Sequence, residues 1–437
     1  MTATHETYDI LGVGFGPSNL ALAIALDEHQ AEGAHLPKTA FLETQKSFAW
    51  HPNMLLDGSD MQVSFIKDLV SLRNPASPYS FISYLHAKGR LERFVNRKSF
   101  FPSRHEFNDY FTWAADQMGQ VCHYDQKVVG IQAVQGDGGQ VSMLSVISEN
   151  ETGVQTIRQT RDLVMAIGGR VVIPDVFAEV NNSPKVGHSS RYLSDIKSQL
   201  ANAEGSMKIA VIGSGQSGAE IFYDLVNDPH QPKVDFIFRS HALKPSDDSP
   251  FVNEIFDVDF TSHVYHQPKE QRRALINEYS NTNYSVVDGD LIEQIYGVFY
   301  EQDVVNGDHY GLRRSTTVTA ARKKGQQIVL ELHDTHNDHQ EEQTYDLVVL
   351  ATGFRRRLGE TMMRDLQRYI TNAEVGRTYQ LGTTDDFQPR LFLQGYCEET
   401  HGLSDTLLSV LAARADEIAE DLLRDYAPKS VVMSAAE

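Results

Sequence analysis

The stretch from Tyr8 to Leu26 reads YDILGVGFGPSNLALAIAL and decides the architecture of the first part of the chain. It starts as an apolar run, continues as a glycine cluster, and ends in small and apolar residues. That order predicts a buried strand, a tight loop and a buried helix. The chain therefore opens with a βαβ unit of the nucleotide-binding kind.

A second stretch, from Lys208 to Leu225, repeats this order and reads KIAVIGSGQSGAEIFYDL. A single G-x-G-x-x-G spacing is weak evidence, because any tight turn from a strand to a helix favours glycine. Two copies in one chain are stronger evidence. They indicate two dinucleotide sites.

In each copy we expect the first glycine to make the turn and the second to let the backbone approach a pyrophosphate. These glycines are Gly12 and Gly14 in the first copy, and Gly213 and Gly215 in the second. The sixth position of the first copy is Pro17, so this copy departs from the strict pattern. In both, the N-terminus of the following helix would stabilise the bound anion.

The end of the second strand in each unit indicates which nucleotide binds. After the first copy, residues 39–42 end at Glu43, a carboxylate suited to the ribose hydroxyls of FAD. After the second copy, residues 235–238 end at Arg239, a cation suited to the 2′-phosphate of NADPH. A surface arginine near a strand end remains the alternative interpretation of Arg239.

Two further apolar segments, residues 162–169 and 346–354, look like buried parallel strands that run into a glycine turn. We interpret them as the places where the chain crosses between domains. The predicted fold is α/β, with two Rossmann-like dinucleotide-binding domains, one inserted in the other, and a smaller substrate-binding elaboration. The expected ranges are 1–166 and 347–437 for the FAD-binding domain, 167–346 for the NADPH-binding domain, and about 245–300 for the elaboration.

Composition excludes several classes of protein. The 437 residues carry 39 Lys and Arg against 59 Asp and Glu, a net charge of −20, so no nucleic-acid or anionic-membrane partner is expected. The start, MTATHETYDI, lacks a basic region followed by an apolar core, which favours a cytoplasmic protein. Cys122 and Cys397 are the only cysteines and form no CxxC pair, which argues against a zinc ribbon and a redox disulfide.

His333, His336 and His339 recur at intervals of three residues between two strand-like runs. We interpret them as a solvated hairpin tip and assign no metal site, because a metal site needs more rigid support than a loop tip gives.

A site for NADPH and a site for FAD imply hydride transfer from one to the other. Without a cysteine pair or a metal cluster, the expected outlet is reaction of the reduced flavin with oxygen to give a C4a-hydroperoxide. This is the hypothesis of a monooxygenase.

Seven motifs outside the two glycine clusters carry a family resemblance: residues 48–52, 61–69, 73–81, 249–256, 281–288, 351–354 and 401–409. They resemble microbial N-hydroxylating flavin monooxygenases of siderophore biosynthesis, and the resemblance spans nearly the whole chain. Within that family, residues 281–288 (NTNYSVVD) are similar to L-ornithine N5-monooxygenases, particularly those of the pyoverdine pathway, rather than to lysine N6-hydroxylases.

The resemblance implies that the side-chain amine of L-ornithine is hydroxylated to N5-hydroxyornithine, with FAD, NADPH and molecular oxygen, for hydroxamate siderophores. The amine would attack the flavin hydroperoxide after losing its proton, so no protein nucleophile is expected. Retained NADP⁺ would help to exclude water. A homo-oligomer is left open.

The resemblance also implies roles for individual residues. The residues implied for substrate are Lys67, Asn253, Glu254, Ile255, Phe256, Asn283 and Leu407. Those implied for FAD are Gly12, Gly14, Pro17, Glu43, Trp50, His51, Gln62, Val128, Ser404, Asp405 and Thr406. Those implied for NADPH are Arg104, Gly213, Ser214, Gly215, Gln216, Ser217, Arg239, Asn283, Tyr284 and Ser285.

The physical chemistry of these side chains is compatible with such roles. Lys67 is a fixed cation for an amino-acid carboxylate, and the Asn253 amide both donates and accepts, as a zwitterion requires. Alternatives remain for some residues: a solvated lysine at 67, a structural histidine at 51, a core valine at 128 and a turn asparagine at 283.

Three other functions stay open: hydroxylation of L-lysine or another diamine, an uncoupled NADPH oxidase, and a flavin-binding redox sensor without catalysis. The intact Gly215 and Arg239 argue against the sensor. A Baeyer–Villiger ketone oxygenase fits poorly, because the segment around His188 lacks the spacing and the tryptophan of that signature.

Overall fold

The computed structural model describes residues 6–356 and 362–426, and the expected FAD-binding ranges extend beyond these limits at both termini. Its strands are β1 (Glu6–Val13), β2 (Thr39–Leu42), β3 (Cys122–His123), β4 (Lys127–Gln135), β5 (Val141–Glu149), β6 (Gln155–Met165), β7 (Arg170–Val171), β8 (Val186–His188), β9 (Lys208–Ile212), β10 (Lys233–Ile237), β11 (Tyr310–Arg313), β12 (Thr316–Lys324), β13 (Gln327–Asp334), β14 (His339–Tyr345), β15 (Leu347–Leu350), β16 (Phe354–Arg355), β17 (Ile370–Val375), β18 (Leu381–Thr383) and β19 (Arg390–Leu393).

Its helices are α1 (Pro17–Ala31), α2 (Phe81–Ala87), α3 (Leu91–Arg97), α4 (Arg104–Gln117), α5 (Ser198–Ala201), α6 (Gln216–Val226), α7 (Pro250–Asn253), α8 (Val258–Tyr265), α9 (Lys269–Tyr279), α10 (Gly289–Val304), α11 (Glu398–His401) and α12 (Leu411–Arg424). Short 3₁₀ turns cover Pro52–Met54, Asp175–Phe177, Ser189–Arg191, Glu254–Phe256, Ser280–Thr282, Arg364–Tyr369 and Leu403–Thr406, and a π-helical turn covers Tyr192–Lys197.

The first sheet has the order β3-β2-β1-β6-β5-β4, and β19 pairs with the C-terminal part of β6. Strand β1 runs parallel to both β2 and β6, with Val13 opposite Leu42 and Met165. The carboxyl ends of these strands therefore meet at one edge of the sheet. Helices α1 and α12 pack against each other beside it. This edge receives the first glycine loop, defined as residues 14–19.

The second sheet is entirely parallel and has the order β11-β10-β9-β15-β8. Strand β9 is central, and α6 carries the chain from β9 to β10, which is the connection expected of a Rossmann-like unit. Residues 213–217, which the sequence predicts to bind NADPH, follow β9 at the carboxyl edge. We call them the NADPH loop after that prediction. The predicted α/β fold with two dinucleotide-type sheets is confirmed.

One expected boundary is wrong. Residues 347–350 form β15, which pairs with β8 and β9 in the second sheet rather than belonging to the first. The chain leaves the second sheet only after Leu350. It then pairs Phe354 and Arg355 with Val171 and Arg170, so the outgoing and returning chains run side by side.

The segment expected to be an elaboration is helical and lies between β10 and β11. It contains α7 to α10 and ends at Val304, slightly beyond the expected limit. Helices α8 and α9 contact α11, which follows the first sheet, whereas α10 contacts α6 of the second. The elaboration therefore touches both halves of the molecule.

Residues 335–338 connect β13 to β14 in an antiparallel sheet with β12, so the predicted hairpin tip is confirmed. Nε2 of His333 lies 2.9 Å from Oδ1 of Asp338 at this tip.

Cys122 and Cys397 are both buried and free. Within residues 6–356 and 362–426, no helix has the length and apolar character needed to cross a membrane.

Candidate active site

The carboxyl edges of the two sheets face a shared cleft of about 3570 Å³. Pockets for a single drug-sized ligand are roughly 300–1,000 Å³, so this cleft has room for two dinucleotides and an amino acid. The first glycine loop, the NADPH loop and the helical elaboration all contribute to its walls.

The first glycine loop corrects the expected register of the fingerprint. Gly14, with φ of 84°, makes the turn, and a Cβ there would lie 2.5 Å from the carbonyl oxygen of Ala166. Gly12 lies inside β1, where a Cβ would overlap the ring of Phe41, and it does not line the cleft. Gly12 is therefore a packing residue of the strand, and its expected role in the turn is wrong.

Gly16 takes the position next to the helix. It is the N-cap of α1, and a Cβ there would have no atom within 4 Å, so the backbone is open to the cleft. Pro17 is then the first helical residue, a position where its missing N–H is harmless. The fingerprint is Gly14-x-Gly16-x-x-Asn19, two residues later than expected.

Asn19 occupies the place of the third glycine. It is fully buried, and its Nδ2 donates to the carbonyl oxygen of Gly14 at 2.6 Å. Its Oδ1 accepts from Nε2 of Gln394 at 2.8 Å. The Asn19 side chain therefore joins α1 to the first glycine loop by a hydrogen bond.

The second unit has the expected register. Gly213, with φ of 131°, makes the turn against Ala351, and Gly215 is the N-cap of α6. All of residues 213–217 line the cleft. Their backbone and the α6 N-terminus form an arrangement suited to a pyrophosphate.

The two strand ends lie where the sequence predicts them. The Glu43 carboxylate lines the cleft and also accepts from the main-chain N–H groups of Phe15, at 2.7 Å, and Gln45, at 2.8 Å. It therefore holds the first glycine loop in addition to facing the cleft. Arg239 lines the cleft with an exposed side chain, as a phosphate-binding cation would.

Trp50, His51 and Val128 also line the cleft. His51 has φ of 47°, and its ring lies between those of Trp50 and Phe354, at centroid distances of 5.1 and 6.5 Å. Desolvation within the cleft, followed by the charges of Arg104 and Arg356, lowers the pKa of His51 to about 4. Its imidazole is therefore neutral at neutral pH.

Lys67 is half-buried and lines the cleft at the end of a loop, residues 61–67. We call it the flavin-side loop, after the role at FAD that the family resemblance implies for Gln62. The next residue, Asp68, fixes the end of this loop. Its Oδ1 accepts from the N–H groups of Val70 and Ser71, at 2.9 and 2.6 Å, and its Oδ2 from that of Phe81, at 2.7 Å. Asp68 was not among the residues predicted from the sequence, although an aspartate that opens a turn is a recognisable signal.

The residues expected to bind substrate divide into two groups. Lys67, Asn253, Phe256, Asn283 and Leu407 line the cleft. Glu254 and Ile255, which were also expected to bind substrate, lie in a 3₁₀ turn and do not line the cleft. Glu254 is exposed outside the cleft, whereas Ile255 is buried in an apolar cluster with Leu403.

Residues 404–406, which were expected to bind FAD, also differ in whether they line the cleft. Asp405 and Thr406 line the cleft. Ser404 does not line it, and its buried hydroxyl lies 3.0 Å from that of Thr261. Asp405 is fully buried, and its carboxylate accepts from the N–H of Cys397 at 2.7 Å and from Arg414 at 3.1 Å.

Tyr284 and Ser285 line the cleft and belong to residues 281–288, which we call the substrate segment because the family resemblance implies a role for it at the substrate. The Tyr284 hydroxyl donates to the carboxylate of Glu398. Desolvation, reinforced by Glu398, raises the pKa of Tyr284 to about 12, so the hydroxyl remains a donor at neutral pH. Ser285 adopts φ of 58°, which places a sharp bend at this point of the segment.

The remaining predicted residues, Arg104, Gln62 and Gln216, line the cleft and are bonded to protein groups. Both terminal nitrogens of Arg104 donate to Glu220, at 2.8 and 2.6 Å. Gln62 and Gln216 both donate to Asp288 at 2.8 Å. Asp288 and Glu220 were not among the site residues predicted from the sequence.

Comparison with known proteins agrees with this geometry. A sequence model of the family described as L-lysine 6-monooxygenase/L-ornithine 5-monooxygenase matches residues 6–356. The L-ornithine N(5)-monooxygenase of Pseudomonas aeruginosa is 46% identical over 428 residues, which cover 98% of this chain and 96% of that protein.

Solved structures give the same result. The ornithine hydroxylase PvdA from Pseudomonas aeruginosa superposes with a TM-score of 0.92 at 45% identity, covering 96% of this chain and 100% of that one. The ornithine N-hydroxylase KtzI from Kutzneria sp. 744, in a structure with reduced FAD, NADP⁺ and L-ornithine, has a TM-score of 0.89 at 34% identity, with coverages of 96% and 100%. The chain therefore belongs to the L-lysine 6-monooxygenase/L-ornithine 5-monooxygenase family.

Proposed function

We propose that the chain catalyses the FAD- and NADPH-dependent hydroxylation of the side-chain amine of L-ornithine by molecular oxygen, giving N5-hydroxyornithine. The observation that carries this proposal is one cleft lined by two glycine loops with opposite strand-end charges and by the substrate set around Lys67. The relatives named ornithine monooxygenases support the choice of substrate.

FAD fits the first glycine loop. Gly16 presents an open backbone at the N-terminus of α1, where the helix dipole favours an anionic pyrophosphate. Glu43 would accept hydrogen bonds from the ribose hydroxyls, and Trp50, His51 and Val128 line the same cleft. When bound, FAD supplies the redox chemistry: it takes a hydride from NADPH and activates oxygen for transfer to the amine.

NADPH fits the NADPH loop. The open N-terminus of α6 at Gly215 suits its pyrophosphate, and the exposed guanidinium of Arg239 suits its 2′-phosphate. Ser214 and Ser217 add hydroxyl groups to the same wall.

The substrate is held by its amino-acid end. Lys67 would pair with the α-carboxylate, and the amides of Asn253 and Asn283 with the zwitterionic group and the side chain. Nδ2 of Asn253 donates to the carbonyl oxygen of Asp248 at 2.7 Å, which fixes the orientation of the amide. Holding one end of a diamine determines how far its other amine reaches into the cleft, and this selects chain length.

The amine must be neutral to act as a nucleophile, and desolvation in a closed cleft favours its neutral form. The product, a hydroxylamine, becomes a hydroxamate once it is acylated. We therefore propose a role in making hydroxamate siderophores.

The test is to load the purified protein with FAD and to measure NADPH oxidation, hydroxylated amine and peroxide together, with L-ornithine, L-lysine and cadaverine in parallel. We expect hydroxylamine that matches NADPH consumption with L-ornithine alone. Matching product with L-lysine would show the other branch of the family, and peroxide without product for all amines would show an oxidase.

A substitution sharpens this test. Lys67→Met removes the charge and keeps much of the length of the side chain, so we expect the KM for L-ornithine to rise at least about tenfold. NADPH oxidation without substrate should stay close to that of the unaltered protein. Lys98→Met, outside the cleft, is the control and should leave both values unchanged.

A further inference from the structure

Asp288 is the last residue of the substrate segment 281–288 and directly precedes α10. An aspartate at such a position usually accepts hydrogen bonds from the first amides of the helix. Here the side chain makes no capping bond to α10. Its carboxylate is directed at two glutamine side chains instead.

The two glutamines come from opposite walls of the cleft. Nε2 of Gln62, in the flavin-side loop, donates to Oδ1 of Asp288 at 2.8 Å. Nε2 of Gln216, in the NADPH loop, donates to Oδ2 at 2.8 Å. The main-chain N–H of Asp288 returns a bond to Oε1 of Gln216 at 2.9 Å. One carboxylate thus connects both loops with the substrate segment.

A second contact crosses the cleft beside the first. Gln216 also donates to Oε1 of Glu220 at 2.9 Å, and Glu220 receives both terminal nitrogens of Arg104. Arg104 begins α4, which belongs to the half that carries the flavin-side loop. A continuous chain of polar side chains therefore runs Gln62, Asp288, Gln216, Glu220, Arg104.

The backbone next to Asp288 is anchored to the second half of the molecule. The preceding residue, Val287, is fully buried in the core of the second half. Its N–H donates to the carbonyl oxygen of Lys244 at 2.9 Å, and its carbonyl oxygen accepts from the N–H of Ser246 at 2.9 Å. The carboxylate is therefore held relative to the second sheet, and through Gln62 it holds the flavin-side loop.

We propose that Asp288 is a positioning residue that fixes the NADPH loop relative to the flavin-side loop, so that hydride donor and acceptor meet in register. The inference rests on the function proposed above. Hydride transfer requires close contact between the two rings, and a misplacement of about 1 Å lowers such rates by about 100-fold. Hydrogen bonds to a carboxylate are among the stronger ones available for this purpose.

The test uses Asp288→Asn in the FAD-loaded protein. The amide keeps the shape of the carboxylate but has no charge and only one acceptor oxygen, so at most one glutamine keeps its acceptor and neither bond remains charge-assisted. We expect anaerobic reduction of the flavin by NADPH to slow at least about tenfold, with FAD content and thermal midpoint unchanged. Asp303→Asn, on an exposed part of the same helix, is the control.

A readout without catalysis accompanies the rate. Backbone amide exchange in residues 61–67 and 213–217 should become faster in Asp288→Asn and remain unchanged in the Asp303 control. Gln62→Leu should slow flavin reduction as well. The double variant of Gln62→Leu and Asp288→Asn should be no slower than the slower single variant, because both substitutions act on the bond between Gln62 and Asp288.

An unchanged reduction rate, additive effects in the double variant, or a fall in FAD content and thermal midpoint would each overturn the inference. Failure of the proposed function has a different signature. An unaltered protein that makes no hydroxyornithine would refute that function, whereas flavin reduction and amide exchange require no ornithine and would still test Asp288. If NADPH does not reduce the flavin at all, amide exchange alone decides whether Asp288 connects the loops.

Discussion

The first glycine loop and the NADPH loop have the same backbone conformation where they leave their central strands, which we call the shared backbone frame. Gly14 and Gly213 both have positive φ, and a Cβ at either would collide with the carbonyl of the residue that follows the neighbouring strand. Gly16 and Gly215 both cap the following helix in an extended conformation. Contact between the loop and the adjacent strand thus sets the frame, irrespective of the nucleotide.

The third position of the frame differs between the loops. At Gly218 a Cβ would overlap the carbonyl oxygen of Gly213, so only glycine fits. At Asn19 a whole amide fits and bonds to both Gly14 and Gln394. In the NADPH loop the helix therefore packs directly on the backbone of the loop. In the first glycine loop a buried, hydrogen-bonded asparagine side chain joins the helix to the loop.

The largest effect expected from this comparison is that of Gly213→Ala. Alanine there combines a positive φ with a collision against the backbone of Ala351, and we expect a loss of about 4 kcal/mol in the free energy of unfolding. Urea unfolding measures it.

Gly215→Ala is the matched control. The nearest atom to its Cβ would be Cα of Ser285 at 3.7 Å, so stability should change by less than about 1 kcal/mol. NADP⁺ binding should weaken, because the methyl group projects towards the cleft. Equal losses of stability in the two variants would contradict the shared frame.

The next effect is that of Asn19→Ala. It removes the donor to the Gly14 carbonyl and leaves the buried amide of Gln394 without its acceptor, so we expect a loss of about 3 kcal/mol. Asn227→Ala is a suitable control, because its amide is exposed and bonds only within its own helix region. A loss at Asn19 no larger than at Asn227 would show that the amide does not close the loop.

The comparison also shows what sequence pattern can and cannot supply. The order of strand, glycine loop and helix predicted both sheets, because apolar periodicity and glycine position are local properties. The register of the first fingerprint was wrong because residues 12–16 contain two overlapping G-x-G spacings. Only strand pairing shows that β1 continues to Val13 and that the turn begins at Gly14.

Long-range pairing explains the other differences. Residues 347–350 are apolar on both faces and would suit either sheet, so their hydrogen-bond partners alone assign them. Ile255 and Ser404 lie in 3₁₀ turns, where neighbouring residues point in different directions. Family motifs locate such turns without saying which side chain faces the cleft. The bond between Gln62 and Asp288 joins residues 226 positions apart, and no local pattern reports it.

The smallest effect concerns the two charged residues that follow the second strand of each βαβ unit, Glu43 after β2 and Arg239 after β10. Arg239→Gln should raise the KM for NADPH about 10- to 100-fold and leave the KM for NADH unchanged, since only NADPH carries the 2′-phosphate. Initial rates of flavin reduction with each nucleotide measure this.

The corresponding substitution at the strand end of the first sheet is Glu43→Gln. It tests whether Glu43 affects FAD affinity without affecting the choice between NADPH and NADH. In Glu43 the two carboxylate oxygens accept from the main-chain N–H groups of Phe15 and Gln45. Glu43→Gln keeps one acceptor oxygen for these groups and removes the negative charge. We expect FAD affinity to fall while the preference for NADPH over NADH stays the same, as followed by flavin fluorescence and by the ratio of the two KM values. A changed nucleotide preference in Glu43→Gln, or a changed FAD affinity in Arg239→Gln, would mean that the two loops are not assigned to separate cofactors. Because the loops share a backbone frame, the discrimination between nucleotides must come from these strand-end side chains and the walls around them.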